Sequence, residues 1–348
     1  MKKRKYLVFM VGFLLLARGI TVLFVRTPSY TIQTTGKLYI VNKLSSDIRI
    51  FDLFQGKEIT EIPIKTEPHD IATLSDQSRV VVTNYGNIEI VGNSITVINT
   101  KTNTIEKIIE LQGSLRPHGI VAFKGSNKVG VVTNEGNDLL LVNVDSGIIE
   151  KEILTQQRMS HLVVLDPNKP FAYVTNVNSN SVSVIDFSLN KVIKNINCGL
   201  GTLGIDITPD GSEIWVTNSK ENSINVIDTD TFEITHTLKT GNEPLKLKFS
   251  VDGKYSLVAN LSDGSISVYN QQSKKNIKTI DIPGKKKILE RILYHTPRPV
   301  YILMHPNGLY AFISNSNANQ VEVIDMKTFE IVSNIRTGKI PDGLAYVE

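Results

Sequence analysis

An asparagine that returns at a near-fixed interval limits what this chain can become. It stands at Asn42, Asn84, Asn134, Asn176, Asn218, Asn260 and Asn315, with successive gaps of 42, 50, 42, 42, 42 and 55 residues. Each copy ends a short β-forming run such as Tyr173-Val174-Thr175-Asn176. A polar turn follows, then a strictly alternating stretch, here Val182-Ser183-Val184-Ile185-Asp186. A period of roughly 40 residues marks an array of supersecondary units, each too small to bury its own apolar face.

Laid on one another, the copies show four segments. The first opens near a proline, as in Pro117-His118-Gly119-Ile120-Val121, and leads into a turn such as Thr208-Pro209-Asp210-Gly211. The second carries the asparagine. The third alternates at period two, as in Ser223-Ile224-Asn225-Val226-Ile227-Asp228, and a further turn leads to the fourth, Phe232 to Leu238. Four short strands and tight turns, repeated seven times, predict an all-β, seven-bladed β-propeller of four-stranded antiparallel blades. The array begins at Lys37–Asn42, a second strand with no first, and finishes at Pro341–Glu348, a first strand with no second. The C-terminal strand is therefore expected to complete the N-terminal blade and close the ring, which removes the open sheet edges of a free array. No amphipathic helical period recurs, which excludes helical solenoids.

The N-terminus reads as an address. Lys2, Lys3, Arg4 and Lys5 precede an apolar run from Tyr6 to Ala17, and a second run, Ile20 to Val25, follows Arg18 and Gly19. Residues 6–25 are long enough for one hydrophobic membrane helix, with positive charge holding the N-terminus in the cytoplasm; a cleaved signal peptide is the alternative. Either way residues 1–30 form a targeting segment with a short linker, and residues 31–348 form a propeller outside the cytoplasm, at the periplasm or cell surface. Cys198 is the one cysteine, so no internal disulfide exists. The net charge of +4 is mild and the Lys and Arg are dispersed, so no nucleic-acid partner is expected.

The chain resembles the YVTN-repeat β-propeller family, found among YncE-like and surface-layer proteins. Tyr173–Asn176 is a literal match, and Val81-Val82-Thr83-Asn84, Val131-Val132-Thr133-Asn134 and Trp215–Asn218 are near matches. The resemblance spans residues 37–348 and implies fold and export. It implies little about activity, because the same fold serves lactonases, copper enzymes of the nitrous-oxide-reductase type and quinoprotein subunits.

Seven copies allow an internal comparison. A residue present in every blade serves every blade, so the seven Asn are structural. So are the Asp or Asn that end the third strands: Asp52, Asn99, Asn143, Asp186, Asp228, Asn270 and Asp325. Function belongs where blades depart from the pattern. The residue after the opening proline (Ser160 replaces it in blade four) reads Asp342, His69, His118, His161, Leu203, Leu245 and Val300 round the ring. Three of the six histidines thus fall on consecutive blades at one mouth of the tunnel, with Asp342 and Asp70 nearby. Such imidazoles could ligate zinc or copper, or simply hydrogen-bond the next blade. The loop Tyr85 to Asn93 is longer than its counterparts and brings Tyr85 and Glu89 to the same mouth. So does the long insertion between Ile282 and Pro299, where Ile288, Leu289, Ile292 and Leu293 predict a short helix beside Lys285–Lys287, Arg291, His295 and Arg298. With Arg116 these make a basic rim.

The chain has no Gly-rich phosphate loop, no Gly-x-Ser-x-Gly elbow and no paired-cysteine motif. The reading is therefore a monomeric, membrane-tethered binding module that holds a protein, glycan or anionic small ligand at the His-lined mouth. Two alternatives are a zinc- or copper-dependent or redox enzyme centred on His69, His118 and His161, and a lactonase-like hydrolase.

Overall fold

A computed structural model describes residues 30–284 and 297–348. The segment 6–25, the insertion helix, Lys285–Lys287, Arg291 and His295 lie outside these residues. Among the described residues no helix is long and apolar enough to cross a membrane.

The chain forms seven four-stranded antiparallel sheets. Numbered from the N-terminus, blade 1 pairs Lys37–Asn42, Asp47–Asp52 and Lys57–Pro63 with Pro341–Val347 from the far end of the chain. Lys37 lies opposite Val347, Leu38 opposite Tyr346, and Ile40 opposite Leu344. Blades 2 to 7 each use consecutive strands, starting at Pro68, Pro117, Ser160, Thr202, Pro244 and Pro299. The first strand of each is innermost.

The core lies between neighbouring blades, because each sheet is apolar on both faces. Tyr39, Val41 and Ile48 of blade 1 pack with Ile71, Val80 and Val82 of blade 2, and Trp215 of blade 5 packs with Leu247, Phe249 and Tyr269 of blade 6. The strands in the middle of each blade are buried almost throughout. Outermost strands such as Lys57–Pro63 show most residues to solvent, as their charge predicts. Cys198 joins the cluster between blades 4 and 5, where burial pushes its thiol up to about 12.

Two repeated polar residues build the blades. The Asp or Asn ending each third strand accepts backbone N–H groups from the turn that follows. Asp52 Oδ1 accepts from Phe54 and Gln55 at 2.9 and 2.8 Å, and Asn270 Oδ1 accepts from Ser273 at 2.9 Å. Four residues after it the backbone is left-handed, at Gly56, Asn103, Gly147, Asn190, Phe232, Lys274 and Phe329. A turn of this kind inserts one extra residue, and the pairing with the fourth strand shifts register there in every blade. The Asn of the second strand is buried and donates across to third-strand side chains, as from Asn176 to Ser181 and Ser183 and from Asn218 to Ser223 and Asn225. Asn134 is the exception. Its Oδ1 is buried without a partner, and Thr133 bonds Asp138 in its blade instead.

Candidate functional site

Each innermost strand opens on a bulge. In blade 2, Pro68 faces Asn84 but the next pair is Ile71 with Val82, and the register shifts at this point in all seven blades. A bulge bends a strand and re-aims its side chains. Here it turns the residue after the proline toward the axis. In four blades the hydroxyl residue before the repeated Asn then fixes the bulge to the next blade. Thr83 Oγ1 donates to the His118 carbonyl at 3.0 Å, Thr175 to that of Leu203 at 2.9 Å, and Ser314 to that of Asp342 at 2.6 Å.

All seven mouth positions line one cavity of about 400 Å³. His118 stacks on His69 and on His161, with ring centroids 3.8 Å apart in both cases. His69 Nε2 lies 3.5 Å from Asp342 Oδ2. Leu203, Leu245 and Val300 form the facing apolar wall. His118 and His161 are buried, and the Nδ1 atom of each has no hydrogen-bond partner.

Burial is the main cause holding all three imidazoles far below their usual range. Nearby Lys43 and Lys246 act in the same sense, and His118 is lowered further by its neighbours His161 and His69. His161 falls to about 3, although a backbone hydrogen bond with Leu203 opposes the shift. Burial raises Asp342 to about 6, against the pull of Lys43 and Lys246. At neutral pH the three rings are therefore uncharged, each with one nitrogen lone pair.

The other expected site residues divide. The Tyr85 ring lies 5.4 Å from that of His69 and 5.5 Å from that of His118, so it walls the stack. Arg298 lines the cavity. Arg116 does not. Its guanidinium sits over Tyr85, pairs with Glu135 at 2.7 Å and donates to the Asn87 carbonyl at 3.1 Å, so it braces the hairpin that carries Tyr85. Glu89 is exposed at the tip of that hairpin and does not line the cavity, because an Asn87 side-chain turn holds the tip. Asp70 lies one layer deeper, accepting from Ile71 N–H at 2.8 Å and pairing with Lys246 at 3.3 Å. Among the described residues no three His, Cys, Asp or Glu side chains are grouped to hold a metal ion, and the three histidines stack at contact distance.

Sequence reasoning missed Lys43, Glu67 and Lys246, which also line the cavity. A signal for Lys246 existed. The next column of the innermost strand is Gly119, Gly204 and Gly343 in three blades, where a Cβ on Gly119 would come within 2.6 Å of the His161 carbonyl oxygen. Asp70, Leu162, Lys246 and Tyr301 fill that column in the other four.

A family model described as the Cytochrome D1 heme domain matches residues 65–287. No curated relative matches the sequence. Many solved structures share the fold, three of them as follows. Hydrazine synthase of Kuenenia stuttgartiensis is 17% identical, with a TM-score of 0.68 over 79% of this chain and 88% of its own. A functionally unknown protein of Desulfotomaculum acetoxidans is 18% identical, with a TM-score of 0.72 over 90% and 99%. The dihydro-heme d1 dehydrogenase NirN is 15% identical, with a TM-score of 0.64 over 90% of this chain and 66% of its own. At such identity the structural likeness speaks for the seven-bladed ring, and the narrower resemblance to YVTN-repeat proteins gains support only at that level.

Proposed function

The chain belongs to the cytochrome D1 heme domain family, and from that premise we propose that its His-lined mouth binds a heme-type tetrapyrrole. The observation that carries this reading is the pair of buried, unpartnered Nδ1 atoms on His118 and His161. An unpaired buried polar atom costs about 1–3 kcal/mol, a cost that a bound ligand would offset.

The donor set fits such a group. Heme iron takes a single proximal imidazole, which one ring of a stack can supply, whereas zinc needs several ligands converging on one point. The cavity volume of about 400 Å³ is within the range for a cofactor-sized ligand. In this reading His118 or His161 ligates the iron, and Leu203, Leu245 and Val300 cover the macrocycle. Lys43 and Arg298, which form no ion pair among the described residues, meet its acidic side groups. Burial keeps the imidazoles neutral and so able to ligate. The bound group would supply one-electron chemistry at its iron, and the protein would supply position and electrostatics. We retain export and tethering through residues 6–25 as part of the proposal, on sequence grounds. A protein, glycan or other anionic ligand at the same mouth is the second reading, favoured by the same two cations.

Titration of the purified chain with hemin tests it. Saturable 1:1 binding with a shifted Soret band, lost in the His118→Ala/His161→Ala double variant, is expected. The absence of saturation, or an unchanged spectrum in the double variant, would refute it.

A further inference from the structure

The tunnel is closed partway down. Lys246 reaches across the axis from blade 6 to Asp70 of blade 2, with its Nζ 3.6 Å from the Tyr301 ring centroid. Lys246 lines the His cavity on one side and a larger cavity of about 1130 Å³ on the other. This second cavity opens at the opposite face, where the turns after the innermost strands lie.

Its walls are unusual for a water-filled channel. Val121, Phe123, Val164, Leu165, Ile207 and Leu303 all line it and are half-buried: all but Phe123 pack on one side against the cores between blades, and each leaves apolar surface facing the space. Surface of that kind, gathered in a concave site beside charged groups, marks a ligand site. The charge at this mouth is also one-sided. The lining carboxylates Asp166 and Asp206 are already engaged, Asp166 by Tyr173 and turn N–H groups, and Asp206 by Lys248 and the Phe249 N–H. Lys128 and Lys169 are paired with Glu150 and Asp230. Two lining cations have no carboxylate at ion-pair distance among the described residues. Lys151 donates to the Phe187 carbonyl and the Asn190 side chain, and Lys124 is exposed at the rim.

We infer that this cavity is a second binding site, for a small anionic amphiphile with an apolar body inside the tunnel and one acidic head at Lys124 and Lys151. The septum of Asp70, Lys246 and Tyr301 separates it from the histidines, so the two sites fill independently.

The test uses 1-anilinonaphthalene-8-sulfonate as the fluorescent probe and dodecanoate as competitor, on the full chain. One saturable probe site per chain, displaced by dodecanoate, is expected. Val164→Glu should abolish it, and Lys124→Glu/Lys151→Glu, in a variant whose urea unfolding confirms the native fold, should weaken it about tenfold, as the loss of two ion pairs would. His118→Leu should bind the probe like the parent chain. Absence of saturable binding, failure of dodecanoate to compete, an unchanged affinity in the Lys124/Lys151 variant, or loss of binding in His118→Leu would each overturn the inference. None of these outcomes depends on hemin.

Discussion

If His118 is kept for a ligand and not for the fold, replacing it by leucine should leave the protein at least as stable. Leu203 and Leu245 show that the ring position accepts leucine. The substitution removes a buried Nδ1 that has no partner, worth about 1–3 kcal/mol. It also removes ring contacts with His69 and His161, worth about 0.5–1.5 kcal/mol each and largely replaced by aliphatic packing. The expected net effect at pH 7 is between zero and about 1 kcal/mol of added stability. Acid should widen the gap. The folded-state pKa of His118 lies well below its ordinary 6.5, so below that pH the unfolded chain takes up a proton that the folded chain refuses. The parent therefore loses stability as pH falls, by up to about 1.4 kcal/mol per pH unit for this one group. The variant escapes that loss, so its advantage at pH 5 should grow by about 2 kcal/mol. Asp342 works with the opposite sign, since its folded pKa is raised to about 6, but it is common to both proteins. Urea unfolding followed by Trp215, the sole and fully buried tryptophan, measures both numbers. Destabilisation beyond about 2 kcal/mol at pH 7, or a gap that fails to widen at pH 5, would show that the imidazole serves the fold, because an unsatisfied Nδ1 could not then be its main contribution.

Asn176→Ala should cost about 2–4 kcal/mol, since it strips buried Ser160 and Ser183 of a partner; Asn134→Ala, whose Oδ1 bonds nothing, should cost under about 1 kcal/mol, and equal losses in urea unfolding would contradict the account. Gly119→Ala should cost about 3 kcal/mol, because its methyl would press on the backbone of His161 and Leu162 and force blades 3 and 4 apart; a melting temperature equal to the parent's would disprove that close contact. Deleting residues 341–348 uncovers the edge of Lys37–Asn42 and should yield associating or unfolded chains in sedimentation, whereas a monomer with parental stability would mean that the strand pairing in blade 1 contributes little.

Much of the fold was legible because it repeats. One asparagine column reported seven second strands, and the Asp or Asn column reported seven turns, since each residue answers a local backbone demand met once per blade. The histidines were legible for the converse reason, as departures from a column. Their shared cavity followed from ring order, but their stacking did not, because a bulge in each innermost strand, and for His118 a hydroxyl clamp from the preceding blade, set the ring angles. Arg116 and Glu89 do not line the cavity, because charge near a mouth says nothing about where a side chain is held; Glu135 pairs with the Arg116 guanidinium, and Asn87 accepts the Glu89 backbone N–H at the exposed hairpin tip.

The sequence by itself determined the number of blades, the strand order and which seven residues face the axis, because periodic patterning needs only local rules. The tertiary structure alone decided that Lys246 crosses to Asp70, 176 residues away, and so splits the tunnel into two cavities. That contact, like the depressed imidazole pKa values, arises from curvature: only when the array closes do residues from opposite sides of the ring come within reach and lose their water together.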